Sequence, residues 1–134
     1  MKTKSYKPGI DSVRQIQEFV GETFLALNSN KNKQLKIDLV IEEVVVNIVR
    51  HGCLGIENRI IDVGIDTTAD SIILEISDNG SAFNPLEQEN PDVKAGLDQR
   101  HPGGLGIFLV KQIAKDIQYE RKDNKNFLRL YLDL

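Results

Sequence analysis

The sequence predicts an α+β fold, a two-layer α/β sandwich in which helices pack on one face of a mostly antiparallel sheet. Two segments in the first half repeat apolar residues every three to four positions, which is the pattern of amphipathic helices. Several later segments alternate apolar and polar residues, which is typical of strands with one buried face. Helices and strands occur in runs, without regular β-α-β alternation, so an antiparallel sheet is expected.

The chain is expected to begin with a short strand over residues 2–6 and a first helix after the break at Pro8. Asp11 or Ser12 can cap this helix, because short polar side chains accept hydrogen bonds from its first backbone N–H groups. Its predicted apolar face consists of Ile10, Val13, Ile16, Val20, Phe24 and Leu27.

A second helix is predicted over residues 34–51, after a polar linker and before Gly52 and Gly55. Glycine is common just after a helix, because it readily adopts the left-handed conformation that ends one. The predicted core stripe of this helix consists of Ile37, Val40, Ile41, Val44, Val45 and Ile48.

The second half of the chain is predicted to contain a hairpin, a third helix and a closing pair of strands. The hairpin turns around residues 67–70, and its inward residues are Ile61, Val63, Ile65, Ile72, Leu74 and Ile76. The third helix is predicted from Gly104, with an inward face of Leu105, Phe108, Leu109, Ile113 and Ile117. The closing strands meet around residues 122–126, and the second carries Leu128, Leu130, Leu132 and Leu134 on one face.

Residues 79–103 connect the hairpin to the third helix. They are rich in Gly, Pro, Asn and acids and show no clear periodicity. A loop of this length inside a compact domain is usually a functional lid or a disordered segment.

Length and composition restrict the function. The 134 residues suit one domain over 1–134, and the 40% that are hydrophobic suffice for a core. The net charge of −3 argues against strong non-specific electrostatic binding to nucleic acid or an anionic membrane.

No apolar run approaches the ~18 residues that span a bilayer, and residues 1–9 lack the apolar core of a secretory signal. A single cysteine, Cys53, excludes an intrachain disulfide and, with 2 histidines, argues against a zinc site, so a reducing, cytoplasmic setting is expected.

Three polar side chains form a stripe beside the apolar stripe of the second helix. At about 100° per residue, Glu43, Asn47 and Arg50 fall within about 60° of one another. Glu42 points away from them, toward solvent. An acid, an amide and a cation on one face can hold a metal-bound anion, because Mg²⁺ prefers oxygen ligands and a guanidinium pairs with phosphate. The alternative is a set of exposed side chains that pair along an ordinary helix.

A carboxylate stands at the end of the second hairpin strand. Asp78 continues the alternation of the inward-facing residues, so it is carried to the core side. A buried charge needs a donor, which can be the amine of a nucleotide base or a backbone N–H. Asn79 and Gly80 can turn tightly, so the alternative is an aspartate that only starts this turn.

The third helix begins with a glycine-rich string, Gly103-Gly104-Leu105-Gly106. Glycines at a helix N-terminus let backbone N–H groups approach an anion, and the helix dipole favours the negative charge. The string is neither a P-loop nor a dinucleotide fingerprint, because the Lys-Ser/Thr of the first and the third glycine of the second are missing. Taken alone, it is equally consistent with a hinge.

Three strings occur in a fixed order, with the lid between the last two: EEVVVNIVRHG, DNGSAF and GGLGIFLVKQIAKDIQYE. They resemble the N, G1 and G2 boxes of the GHKL, or Bergerat-fold, ATPases. Within that superfamily the chain is most similar to the anti-sigma-factor serine/threonine kinases of the RsbW and SpoIIAB type, over nearly its whole length. The resemblance implies a histidine-kinase-like ATPase domain with an ATP lid at about 79–103.

The resemblance also implies roles for single residues. Asn47 would coordinate Mg²⁺, Glu43 would act as catalytic base or orient the acceptor hydroxyl, and Asp78 would accept a hydrogen bond from the adenine amine. Gly80 would support the turn after Asp78, and Arg50 would contact phosphate. The backbone N–H groups of the glycine string would meet the phosphates of ATP, and its members are Gly103, Gly104, Leu105 and Gly106.

The implied function is that of an ATP- and Mg²⁺-dependent serine kinase that is also an anti-sigma factor. Its partners would be an anti-anti-sigma protein of the STAS type, which it phosphorylates, a sigma factor, which it sequesters, and a second copy of itself. Neither nucleic acid nor membrane would be a partner. One alternative is a nucleotide-switched binding module with little or no transfer. Another, a detached histidine-kinase ATPase domain, is disfavoured because no helix with a phospho-acceptor histidine precedes the domain. Glu43 beside Asn47 favours the enzyme, because binding alone needs no base.

Overall fold

The computed structural model of the chain describes residues 1–26, 31–52, 57–87 and 104–133. Their helices and strands are β1 (Lys2–Tyr6), α1 (Ser12–Ala26), α2 (Lys31–Gly52), β2 (Ile61–Thr67), β3 (Ser71–Asp78), α3 (Gly104–Ile113), β4 (Asp116–Lys122) and β5 (Lys125–Asp133). A short 3₁₀ turn, Pro85–Glu87, follows β3. The predicted α+β class, with helices packed against an antiparallel sheet, is confirmed.

The five strands form one sheet in the order β1-β2-β3-β5-β4, and every neighbouring pair is antiparallel. The last residue of the central strand β3, Asp78, pairs with Ile61 on one side and with Asn126 on the other. This register brings residues from three separate parts of the chain to one end of the sheet.

The core lies between the helices and one face of the sheet. Strand alternation places the branched apolar residues on this face and polar pairs, such as Glu75 with Arg129, on the other. Full burial of one such apolar side chain contributes ~1.5–3 kcal/mol, so the core stabilises the contact of α1 and α2 with the sheet. Its most deeply buried members are Ile16, Val20, Val40, Ile41, Val45, Ile61, Val63, Ile72, Leu74, Ile76 and Leu130.

The expected apolar face of α1 is wrong at its first position. Ile10 precedes the helix and is 99% exposed, because the chain turns at Gly9 and α1 begins only at Ser12. The Ser12 hydroxyl donates to the carbonyl of Gly9 at 2.6 Å and accepts from its N–H at 3.2 Å. Ser12 therefore closes the turn before α1. This differs from the expectation that its side chain caps the helix. Leu27 lies outside the described residues, as does the side chain of Phe24.

The expected inward face of α3 is also wrong in part. The helix buries Ile107 and Val110, whereas Phe108 and Leu109 are half-buried. Four consecutive apolar residues make this helix hydrophobic on every side, so periodicity cannot select the buried face. Ile117 belongs to β4, because the helix ends at Ile113. Cys53, Leu134 and the side chain of Leu105 lie outside the described part of the chain.

Within the described ranges, none of the helices combines the length and the apolar character needed to cross a membrane.

Candidate active site

A pocket opens at the end of the sheet where β3 and β5 meet the C-terminal half of α2. Its walls are mostly apolar, with a few polar groups among them, which is the usual composition of a small-molecule site. The lining residues are Val44, Asn47, Ile48, His51, Ile76, Asp78, Ser81, Phe83, Pro85, Ile107, Tyr119, Asn126 and Leu128.

The buried carboxylate of Asp78 lies in this wall. Its Oδ2 accepts a hydrogen bond of 2.9 Å from the N–H of Gly80, which is a turn of the kind expected after the strand. The Arg59 guanidinium forms an ion pair with the same oxygen at 3.3 Å, and the amide of Asn126 lies 3.4 Å from both carboxylate oxygens. The charge is thus compensated inside the protein, as a buried carboxylate requires.

Asn126, on β5, ties the segment that follows β3 to the sheet. Its Oδ1 accepts hydrogen bonds from the Tyr119 hydroxyl at 2.6 Å and from the N–H of Phe83 at 3.2 Å. Its Nδ2 donates to the carbonyl of Ser81 at 2.9 Å. One buried amide therefore fixes the backbone that leaves β3, next to Asp78.

Asn47 lies in the pocket wall on α2. It is only 5% exposed, and its Nδ2 has no hydrogen-bond partner within the described part of the chain. Buried amides are almost always paired, so this group has unused capacity toward a ligand in the pocket. The polar stripe predicted for α2 is therefore partly buried, since the start of α3 packs against Glu43, and Phe83 and Pro85 line the same pocket as Asn47.

Glu43 lies one helical turn before Asn47 and packs against the start of α3. A Cβ atom on Gly106 would come within 1.9 Å of Glu43 Oε2, so the carboxylate occupies the space that a side chain at position 106 would need. Burial, and secondarily the negative charge of Glu42, raise the pKa of Glu43 above its ordinary value. Glu42 itself is exposed, as expected.

The other predicted residues that the structure describes lie at the end of α2 and at the start of α3. Arg50 is exposed on the last turn of α2 and is not among the residues that line the pocket. Gly104 and Leu105 form the first turn of α3, whereas Gly103 lies outside the described residues. The structure therefore brings Asn47 and Asp78 to one pocket, with Gly80 hydrogen-bonded to Asp78 and Glu43 packed against Gly106.

Several pocket residues were not predicted from the sequence. Arg59 and Asn126 pair with Asp78, and the ring of His51 stacks on that of Phe83 with centroids 4.1 Å apart and planes inclined by 8°. Asn126 follows a two-residue turn in a polar stretch, where an asparagine is not unusual. Only the register of β3 with β5 identifies it, because that register sets it opposite Asp78.

The donor set fits Mg²⁺ held together with a nucleotide. No group of three or more His, Cys, Asp or Glu side chains that could hold a metal occurs among the described residues. Mg²⁺ commonly takes one or two protein oxygens and completes its shell with phosphates and water, which a single asparagine in a pocket wall satisfies. Asp78 in an apolar pocket likewise fits a base that carries an amine.

The model of the histidine kinase-like ATPase domain family matches residues 8–132. The serine/threonine-protein kinase BtrW of Bordetella bronchiseptica is 30% identical over 108 residues, which cover 79% of this chain and 76% of that protein. The serine-protein kinase RsbW of Listeria innocua is 29% identical over 86 residues, 61% of this chain and 55% of that protein. The match thus spans about half the length of the Listeria kinase.

Solved structures agree in fold. The catalytic domain of the histidine kinase ThkA, in a nucleotide-free form, superposes with a TM-score of 0.58 at 14% identity, over 99% of this chain and 98% of that one. The histidine kinase domain of a blue-light-activated kinase from Erythrobacter litoralis gives a TM-score of 0.55 at 15% identity, over 76% of this chain and 45% of that one. The resemblance seen in the three sequence strings is confirmed, and the chain belongs to the histidine kinase-like ATPase family.

Proposed function

We propose that this protein is an ATP- and Mg²⁺-dependent serine protein kinase. Its substrate would be an anti-anti-sigma protein of the STAS type, and it would also act as an anti-sigma factor that sequesters a sigma factor. Membership of the ATPase family and the similarity to serine kinases support the reaction class. The homodimer, the cytoplasmic setting and the absence of nucleic acid and membrane from the set of partners belong to the same proposal.

The observation that carries the proposal is the position of Glu43 relative to Asn47. A half-buried carboxylate lies one turn before a buried amide whose nitrogen has no partner among the described residues, and it touches the glycine-rich start of α3. A carboxylate near a triphosphate is unfavourable for binding, because like charges repel. Its presence is explained if it acts on the attacking hydroxyl.

In this proposal each residue has one task. Asp78 accepts a hydrogen bond from the adenine amine, and Asn47 holds the metal through its amide oxygen. Mg²⁺, when bound, neutralises charge on the phosphates. Arg50 reaches the phosphates from the rim, and the backbone N–H groups at the start of α3 bind their oxygens.

Glu43 orients the serine hydroxyl or accepts its proton as the serine oxygen bonds to the γ-phosphorus and the bond to ADP breaks. The burial that raises the pKa of Glu43 makes it a stronger base than an exposed glutamate. The chemistry otherwise depends on positioning and on charge stabilisation.

The experiment that tests the proposal incubates the protein with γ-labelled ATP, Mg²⁺ and purified STAS-domain proteins from one bacterial genome. Label on one of them, lost when its acceptor serine is replaced by alanine, is the expected result. A protein that binds ATP and captures a partner but transfers no label would be the nucleotide-switched module instead. Co-purification with a sigma factor, tested with ATP and with ADP, checks the anti-sigma role separately.

A further inference from the structure

A buried cation lies behind Asp78. Arg59 stands in the connection between α2 and β2, and its Nη2 lies 3.3 Å from Asp78 Oδ2. The two side chains are only 7% and 5% exposed. The same Nη2 lies 3.3 Å from the carbonyl oxygen of Ile48, the residue that follows Asn47 on α2. Arg59 thus links the carboxylate at the end of β3 to the helix that carries Asn47.

The two oxygens of the Asp78 carboxylate have different surroundings. Oδ2 accepts from the Gly80 N–H at 2.9 Å and from Arg59 at 3.3 Å, in addition to a 3.4 Å contact with Asn126. Among the hydrogen bonds of the described residues, Oδ1 accepts only the 3.4 Å contact with Asn126. A carboxylate oxygen accepts two hydrogen bonds with ease, so Oδ1 is the atom with capacity for a ligand.

We propose that Arg59 is a positioning residue that sets the base preference of the pocket. It holds Oδ2 and balances the buried charge, so that Oδ1 is presented as a pure acceptor. A pure acceptor selects a base with an exocyclic amine, such as a 6-aminopurine, and rejects a 6-oxopurine, whose carbonyl is also an acceptor. This inference rests on the proposed use of ATP.

Removal of the Arg59 cation undoes this selection. Asp78 would then be a buried charge with only neutral donors, and its carboxylate would turn toward solvent. A carboxylate that has turned away no longer presents Oδ1 to the base, so the pocket no longer distinguishes an amine from a carbonyl. The other arginine near this turn, Arg121 on β4, donates to the Gly80 carbonyl at 2.8 Å and therefore faces the backbone instead.

The test compares Mg-ATP with Mg-ITP by isothermal titration calorimetry. ITP has the same ribose and triphosphate as ATP but carries a carbonyl at C6 in place of the amine and a hydrogen on N1. Contacts to the phosphates and the metal therefore cancel in the affinity ratio. The wild type should prefer ATP. R59M should lower this preference by about tenfold or more, whereas R59K, which keeps the cation, should retain most of it. R129M is the matched control, because Arg129 pairs with Glu75 outside the pocket, and it should leave the ratio unchanged.

A variant in which both charges are neutralised separates positioning from folding. R59M alone leaves a buried carboxylate without its cation and can lower the melting temperature sharply. R59M combined with D78N has no such charge, and its ATP-to-ITP ratio should equal that of D78N alone. Together with a lowered ratio in R59M, measured at low temperature so that the variant stays folded, this equality shows that Arg59 acts through Asp78.

Two results would overturn the positioning role alone. One is an R59M variant that weakens ATP and ITP equally and so keeps the wild-type ratio. The other is a further change of the ratio when R59M is added to D78N. A wild type that binds ATP and ITP equally would overturn the adenine site itself, and the role of Arg59 with it.

Discussion

The carboxylate of Glu43 lies directly against Gly106, so that a Cβ atom on residue 106 would come within 1.9 Å of Glu43 Oε2 and 2.6 Å of its Cδ. The contact joins the polar stripe of α2 to the glycine-rich start of α3. Position 106 favours glycine because the Glu43 side chain occupies the space that a Cβ atom would need. This reason is independent of any approach of phosphate to the backbone. The proposed base and the proposed phosphate-binding turn are thus one packed unit.

Gly106→Ala should therefore impair phosphoryl transfer without unfolding the protein. The overlap involves the far end of a flexible side chain, so Glu43 can rotate away, and alanine favours the helix by about 1 kcal/mol relative to glycine. We expect a melting temperature within a few degrees of the wild type. Phosphoryl transfer should fall toward the level of the Glu43→Ala variant. Label transfer and circular dichroism measure the two effects.

Gly21→Ala in α1 is the matched control for this change. A Cβ atom on Gly21 meets nothing within 4 Å, so the substitution should stabilise the protein by about 0.5–1 kcal/mol and leave transfer unchanged. Full activity in Gly106→Ala would show that the position of Glu43 does not matter for the reaction.

Glu43→Ala should keep or slightly improve the affinity for Mg-ATP, because it removes a negative charge from the neighbourhood of the triphosphate. Transfer to the partner serine should fall by ~10²–10⁴-fold, the usual contribution of a general base. Glu42→Ala, on the exposed side of α2, should be nearly silent in both measurements. An inactive Glu42 variant together with an active Glu43 variant would show that the catalytic face of α2 is the one that carries Glu42.

The raised pKa of Glu43 makes a prediction about stability and pH. A carboxyl whose pKa is higher in the folded than in the unfolded protein binds more protons when folded, so stability falls as pH rises between the two pKa values. Glu43→Gln removes this loss. We expect it to melt at a higher temperature than the wild type at neutral pH, and the difference should vanish below the pKa of the unfolded glutamate. Melting curves from pH 3 to pH 8 measure the difference in melting temperature between the two proteins. A difference that stays constant with pH would show that burial of the Glu43 charge is not its cause.

Asp78→Asn should weaken ATP binding by on the order of 1–3 kcal/mol, the usual range for a lost charge-assisted hydrogen bond. The wild type should bind ATP and ADP but not GTP, because guanine presents a carbonyl where adenine has its amine. The structure adds an effect on stability, since the variant removes the carboxylate that pairs with the buried Arg59 cation, and breaking a buried pair destabilises the fold. Calorimetry at low temperature keeps the variant folded, and equal wild-type affinities for ATP and GTP would contradict the assignment.

Asn47→Ala should abolish the Mg²⁺-dependent part of the nucleotide affinity while the fold persists. Although Asn47 is buried, its Nδ2 has no partner among the described residues, so truncation breaks no bond from that atom. Asn126→Ala is the informative contrast, because that amide bonds to Ser81, Phe83 and Tyr119, and its loss should cost about 2 kcal/mol or more. If the Asn47 variant loses as much stability as the Asn126 variant in the absence of nucleotide, Asn47 is a structural residue.

Local patterns were sufficient to predict the fold class, the strand faces and the burial of Asp78. Alternation over β3 carries this residue to the inner face whatever lies beside the strand, and helical periodicity brings Glu43 and Asn47 to one side of α2. The order of the three strings along the chain also indicated the family, because each belongs to a short continuous segment. Periodicity failed at α3, where four consecutive apolar residues leave no contrast between its sides, and at Ile10, which precedes the helix.

Tertiary structure decided which groups surround these residues. Arg59 is 19 positions from Asp78 in the chain and Asn126 is 48, and neither has a neighbour in sequence that hints at a carboxylate. Their contacts depend on the register of β3 with β2 and β5, which the packing of the whole core selects and no single segment encodes. The contact of Glu43 with Gly106 likewise depends on how closely α3 approaches α2. The sequence by itself thus determined which residues are chemically suited to the site, and only the packed sheet and helices determined their partners.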